Sequence, residues 1–148
     1  MFSPKSILVP TDFSEYSDKA LEQAIDLAKQ YQSKIHLLHV IGIVHQCVID
    51  YCLDAQSVSE LENITVKSAQ DMAQDQLAKF PDAKQVDIEM IVRQGIPYDE
   101  IIKYQTEKKI ELIVIASHGK TGLLHYMMGS VTNKVVKTAK CPILLIRS

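Results

Sequence analysis

The sequence predicts an α/β protein built on a doubly wound, five-stranded parallel sheet with helices on both faces. Two observations predict it. Short apolar runs alternate along the chain with stretches of helical spacing, and such an alternation is the pattern of strand–helix–strand units. The runs are also too apolar to leave one face in water, which calls for a parallel sheet covered on both sides, closed by right-handed crossovers.

Ser6-Ile-Leu-Val-Pro10 is the first strand, ended by a turn. From Ser14 to about Gln30, Ala20, Leu21, Ala24, Ile25, Leu27 and Ala28 recur with the spacing of a helix face. Lys34 to Ile41 reads as the second strand, an irregular stretch follows from Gly42 to Gln56, and a long polar-faced helix spans about Ser57 to Phe80, stopped by Pro81-Asp82. Val86 to Val92 alternates like a strand, Gly95-Ile96-Pro97 turns, and Pro97 opens a helix with Asp99 and Glu100 in its first turn. Glu111 to Ala116 is the fourth strand, about Ser130 to Thr138 a further helix, and Pro142 to Ile146 the fifth strand. No linker, repeat or low-complexity run divides residues 1–148, so they read as a single domain, with Gly42–Gln56 a mobile loop within it.

A formal charge of −2 offers no electrostatic case for nucleic acid or an anionic membrane. The amino terminus enters a strand without a leader-like apolar segment, and each later apolar run ends within about eight residues. The expectation is a soluble, cytoplasmic protein. Cys47, Cys52 and Cys141 form an odd set without a Cys-x2-Cys pair, which disfavours a disulfide framework or zinc knuckle. The spacing of His45, Cys47 and Cys52 fits no standard metal site.

The informative segment follows the fourth strand. Ser117-His118-Gly119-Lys120-Thr121-Gly122 leads through Met128 to Gly129-Ser130-Val131-Thr132. A glycine-rich loop running into a helix start can hold phosphates on backbone N–H groups, because glycine permits close approach and the helix end supplies unpaired donors with partial positive charge. Gly119-Lys120-Thr121 is not the end of a P-loop: the required earlier glycine falls on Val114, inside the strand.

Gly119, a gap of nine residues and Gly129-Ser130 resemble the nucleotide loop of the universal stress protein family, whose ATP-binding branch carries Gly-x2-Gly-x9-Gly-Ser/Thr. Ala116 stands at the first glycine. The resemblance extends over nearly the whole chain, through Ile-Leu-Val-Pro-Thr-Asp-Phe-Ser-Glu at the start, Leu-Leu-His-Val at the second strand and Gly-x-Pro after the third. It implies strand order 3-2-1-4-5, which brings together the loops after strands one and four, where ligands of such sheets bind.

Asp12, after Pro10-Thr11, can accept from an adenine amino group or ribose hydroxyls; it also suits a turn ahead of the first helix with Ser14 as N-cap. The resemblance favours the ligand role, adds Thr11 through its backbone, and matches Val40 to a position whose main chain faces adenine. Gly119, Gly129 and Ser130 are the phosphate candidates, the Ser130 hydroxyl as an extra donor, while Gly129-Ser130 equally suits a plain helix start in which Ser caps. The amides of Val131 and Thr132 lie in the same first turn. Lys120 either neutralises phosphate or is merely solvated. Ser117 and His118 read as loop residues lining the nucleotide, since adjacent residues rarely align as nucleophile and base and the Gly-x-Ser-x-Gly elbow is missing. His36 and His39, in the second strand, read as buried hydrogen-bonded histidines.

These readings lead to an ATP-binding protein, Mg²⁺ or Mn²⁺ accompanying the phosphates, with ATP as regulatory ligand or slowly hydrolysed substrate, since no catalytic base stands out. A dimeric adaptor without nucleotide, an adenylate-handling enzyme, and a binder of another adenine nucleotide such as AMP are the alternatives. The resemblance implies a homodimer, for which Ile143-Leu144-Leu145-Ile146 offers an edge strand.

Overall fold

The computed structural model describes residues 1–42, 54–119 and 128–147. Its elements, in chain order, are β1 (Ser6–Pro10), α1 (Glu15–Tyr31), β2 (Lys34–Ile41), α2 (Ala55–Ala78), a 3₁₀ turn (Pro81–Gln85), β3 (Ile88–Gln94), α3 (Pro97–Glu107), β4 (Leu112–Ala116), α4 (Ser130–Thr138) and β5 (Ile143–Ile146). The strands form one five-stranded sheet in the order β3-β2-β1-β4-β5, every neighbour pair parallel. The doubly wound fold read from the sequence is the observed one. Most of the presumed loop, with His45, Cys47 and Cys52, lies outside the described residues.

Alternation between two covered faces explains why Ile7, Leu8 and Val9 of β1 and every residue of β4 are apolar. Ile7, Val9, Ile35, Leu37, Leu112, Val114 and Ala116 pack against Ala20, Leu21, Ala24, Ile25 and Ala28 of α1 and Ala73 of α2. Their neighbours Leu8, Leu38, Ile113 and Ile115 point the other way, against Ile101 and Tyr104 of α3 and Val135 of α4. Truncating a side chain that is wholly buried in either layer, such as Leu8 or Leu21, costs about 2–5 kcal/mol.

Local chemistry sets the ends of the helices. Ser14 caps α1, its side chain accepting from the Ser17 amide, and Gln32 closes the helix in the left-handed region at φ 54°. Asp54 caps α2 in the same way through Ser57, so the helix starts at Ala55, ahead of the expected Ser57. Beyond α2, Phe80 and the 3₁₀ turn use up the chain to Gln85, and the Val86 amide donates to Ala83 O. That bond withholds Val86 from the ladder, and β3 covers Ile88–Gln94 instead of Val86–Val92.

Candidate functional site

Strand order reverses direction between β1 and β4, and a cavity of about 300 Å³ opens at their carboxyl ends. It lies at the low end of small-molecule pockets and at the place where doubly wound sheets bind ligands. One wall is apolar, from Leu38 and Val40 of β2, Pro97 and Ile101 of α3 and Ile115 of β4. Further lining comes from Pro10 at the end of β1, Thr11 and Asp12 after it, Ser17 of α1, His118 and Gly119 after β4, and the first turn of α4 from Gly129 to Thr132.

The turn after β1 is held by its own side chains. Asp12 Oδ1 accepts from the Ser14 amide at 3.0 Å and Thr11 Oγ1 from the Phe13 amide at 3.0 Å. Phe13 between them has φ 64°, a left-handed backbone that costs a residue with a Cβ about 1–2 kcal/mol. The two side-chain acceptors offset that cost, and the Phe13 ring lies 4.4 Å from the His39 ring. His39 donates through Nδ1 to Thr11 O at 2.8 Å, and the Thr11 amide donates to Leu38 O at 2.9 Å. The Thr11 amide is thus spent within the protein, whereas its carbonyl oxygen has a second acceptor lone pair beyond the one His39 uses.

Beside that turn, Gly119 gives close approach a concrete meaning. A Cβ there would stand 2.6 Å from Asp12 Oδ2, so only glycine lets the carboxylate lie against this loop. Gly129 is different: φ −60° and ψ 154° suit any residue, and a Cβ would meet Ser117 O at an ordinary 3.6 Å. Its amide donates to Ser117 O at 2.8 Å, so it is engaged within the protein. Gly129, not Ser130, is the N-cap of α4, with no side-chain cap. Ser130 is the first helical residue, and the expected serine cap does not form. The amides of Ser130, Val131 and Thr132 have no acceptor within the helix and meet the cavity with the positive end of the helix dipole. The Thr132 hydroxyl is spent on Ala116 O at 2.8 Å.

Ser117 and His118 depart from expectation. Adjacent residues were not expected to align, yet Ser117 Oγ and His118 Nδ1 lie 2.8 Å apart, both side chains buried. The backbone of Ser117 is tied to Ile146 O and to the Gly129 amide. His118 lines the cavity and lies 5.9 Å from the Tyr16 ring, whereas Ser117 is not among the lining residues.

The model of the universal stress protein family matches residues 4–147. The chain belongs to the universal stress protein family. Universal stress protein MJ0531 of Methanocaldococcus jannaschii is 32% identical over 97% of this chain and 82% of its own length. Universal stress protein YxiE of Bacillus subtilis is 34% identical over 95% of this chain and 97% of its own. The solved structure of MJ0577, another M. jannaschii universal stress protein, superposes with a TM-score of 0.82 at 30% identity, covering 99% of this chain and 98% of that one.

Ala116, where the universal stress protein loop pattern has its first glycine, ends β4 paired with Ile146. Positive φ among the described non-glycine residues is confined to Phe13, Gln32 and Lys109, so Ala116 does not sit in a left-handed backbone that would favour glycine. Of the site residues expected from the sequence, Pro10, Thr11, Asp12, Val40, Ala116, His118, Gly119, Gly129, Ser130, Val131 and Thr132 line one cavity. Lys120 lies outside the described residues. Sequence reasoning missed Ser17, Leu38, His39, Pro97, Ile101 and Ile115. Strand alternation carried a signal for Leu38 and Ile115, which share the face that α3 and α4 cover. His39, expected to be buried, is half-buried and on the wall of the site.

Proposed function

We propose that this universal stress protein binds ATP in the cavity between β1 and β4 and uses it as a regulatory ligand. The observation that carries the reading is the distribution of chemistry along one cavity: an apolar slot from β2, α3 and β4, the Asp12 carboxylate beside it, and the amides of Ser130, Val131 and Thr132 at a helix N-terminus. An adenine ring suits the slot, hydroxyl or amino donors suit Asp12, and phosphate suits the amides. Among the described residues no group of three or more His, Cys, Asp or Glu could hold a metal. Mg²⁺ or Mn²⁺ therefore enters this reading on the phosphates. Turnover, if present, is slow, because efficient phosphoryl transfer wants a placed base and carboxylate support for the metal.

AMP or another adenine nucleotide with a short phosphate chain is the second reading, favoured by the modest cavity volume. Fold neighbours at 21% and 17% identity were solved as a universal stress protein in complex with cAMP and one in complex with dAMP. In those proteins the fold holds an adenine nucleotide with a single phosphate.

The reading extends to a single domain over residues 1–148, a cytoplasmic setting and a homodimer paired through β5. No helix among the described residues is long and apolar enough to cross a membrane.

The test is to denature the purified protein, identify any released small molecule by mass spectrometry, and titrate the emptied protein with ATP, ADP and AMP by calorimetry. Saturable binding with ATP tightest is the expected result. AMP binding equally tightly selects the second reading, and a protein indifferent to all three overturns both in favour of an adaptor.

A further inference from the structure

We infer that Gln76, on α2 and outside the cavity wall, is a positioning residue for nucleotide recognition: its amide fixes the Thr11 hydroxyl and, through it, the turn that aims Asp12. The inference rests on the adenine-nucleotide reading above and adds a residue that no loop motif contains.

Gln76 is only 2% exposed, a primary amide deep in an apolar layer, and every polar atom it carries has a partner. The direction of those bonds can be worked out. Asp18 Oδ2 is ion-paired with Lys79 Nζ at 2.8 Å, and its Oδ1 lies 2.7 Å from the Gln76 amide nitrogen. A carboxylate only accepts, so the Gln76 NH₂ must face Asp18 and its Oε1 the opposite way. Oε1 lies 2.9 Å from Thr11 Oγ1, and a carbonyl oxygen cannot donate, so the Thr11 hydroxyl proton points at Gln76. Ser17 Oγ, 3.0 Å from Thr11 Oγ1, spends its own proton on Ser14 O at 2.8 Å. The remaining acceptor capacity of Thr11 Oγ1 thus faces the Phe13 amide at 3.0 Å.

Phe13 is the left-handed residue of the turn at φ 64°, and it joins Asp12 to the Ser14 cap. A backbone in that region persists only where its surroundings over-determine it. The relay from Lys79 through Asp18, Gln76 and Thr11 supplies that determination from a helix distant in sequence. Its end point is the Asp12 carboxylate, with Oδ1 on the Ser14 amide and Oδ2 against Gly119. Gln76 therefore acts on the ligand through Asp12 without touching it.

The experiment is a double-mutant cycle read by calorimetric ATP titration of nucleotide-free protein. Gln76→Met keeps length and removes the amide. Thr11→Val keeps shape, removes the hydroxyl on the other side of the same bond, and stands in if the first variant does not fold. Each is expected to weaken ATP binding roughly fivefold to twentyfold in the native background. In an Asp12→Ala background each should change it by less than about twofold, because the group being positioned is gone. Equal losses in both backgrounds, or a lowered melting temperature with unchanged affinity, would mean that Gln76 is a structural cross-link only, and overturn the inference. A native protein that takes up no adenine nucleotide overturns the parent reading instead, and this one with it.

Discussion

At Gly129 the demands of helix stability and of ligand binding point in opposite directions, which makes this residue a clean probe of the site. It caps α4 without a side-chain bond and has backbone angles that any residue adopts. Gly129→Asp would supply the missing cap and a negative charge at the positive end of the helix, together a few tenths of a kcal/mol to about 1 kcal/mol in favour of folding. The same carboxylate would occupy the place proposed for phosphate. The expected outcome is a melting temperature equal to or above that of the native protein with ATP affinity reduced at least about tenfold. Unchanged affinity by calorimetry in that folded variant would remove phosphate from the mouth of α4. A second residue-scale effect concerns pH. Burial holds the His36 imidazole below the ordinary histidine range, against the opposing pull of Glu89 4.0 Å away. Tyr104, pushed up to about 12 by its own burial, stays protonated, and its hydroxyl lies 2.7 Å from His36 Nδ1. The unfolded chain takes up a proton near the ordinary value of 6.5, where the folded one resists it. This contribution is therefore full above about pH 6.5 and is lost as pH falls from there toward the depressed folded value. Urea midpoints measured across that window should fall with pH in the native protein. The component due to His36 should vanish in the double variant His36→Leu with Tyr104→Phe, and a slope of the same size in both would assign the acid sensitivity elsewhere.

The elements were legible in the sequence to the extent that their signals were local. Doubly buried strands such as Leu112–Ala116 declare themselves by unbroken apolarity, and α1 by its spaced alanines and the Ser14 cap. The start of β3 was not legible, because the 3₁₀ turn ending in the Val86 to Ala83 bond leaves no periodic trace. The end of the site proposed for phosphate was readable for a related reason. Glycine spacing in one loop is a local signal, whereas Pro97 and Ile101 reach the cavity only because α3 folds across the sheet. Gln76 was invisible, one polar residue in a helix with its partners 58 and 65 positions away. At this scale β5 carries its own prediction. It is one of the two outer strands of the sheet, and Leu144 is 37% exposed on it, so a sheet edge without a further strand among the described residues is joined to exposed apolar surface. If a second copy covers it, Leu144→Lys should convert a dimer to a monomer in sedimentation equilibrium with ATP affinity within about twofold of native. A native protein that is already monomeric at the same concentration contradicts pairing through this strand.

Across the whole molecule, the cavity is lined by residues of both packed layers. Thr11, Asp12 and Ser17 belong to the layer ordered by α1 and α2, while Ile101, Ile115 and the first turn of α4 belong to the layer of α3 and α4. A ligand that touches both sides is bound only when both are formed, so its binding free energy adds to the stability of the fold as a unit. At a free concentration of about one hundred times Kd the gain is about 2.7 kcal/mol. For a chain of 148 residues that corresponds to a rise of about 5–10 °C in Tm. Protein concentration must be fixed in the comparison, since pairing through β5 would itself make Tm depend on it. Differential scanning calorimetry at that ATP concentration should show one transition moved upward by that amount in the native protein, and by no more than about half as much in Gly129→Asp, where a tenfold weaker Kd leaves about 1.4 kcal/mol. Two transitions, of which ATP moves only one, would mean that the layers unfold separately and that the nucleotide contacts just one of them. An equal shift in both proteins would place the nucleotide away from the mouth of α4 even if calorimetric titration finds it bound.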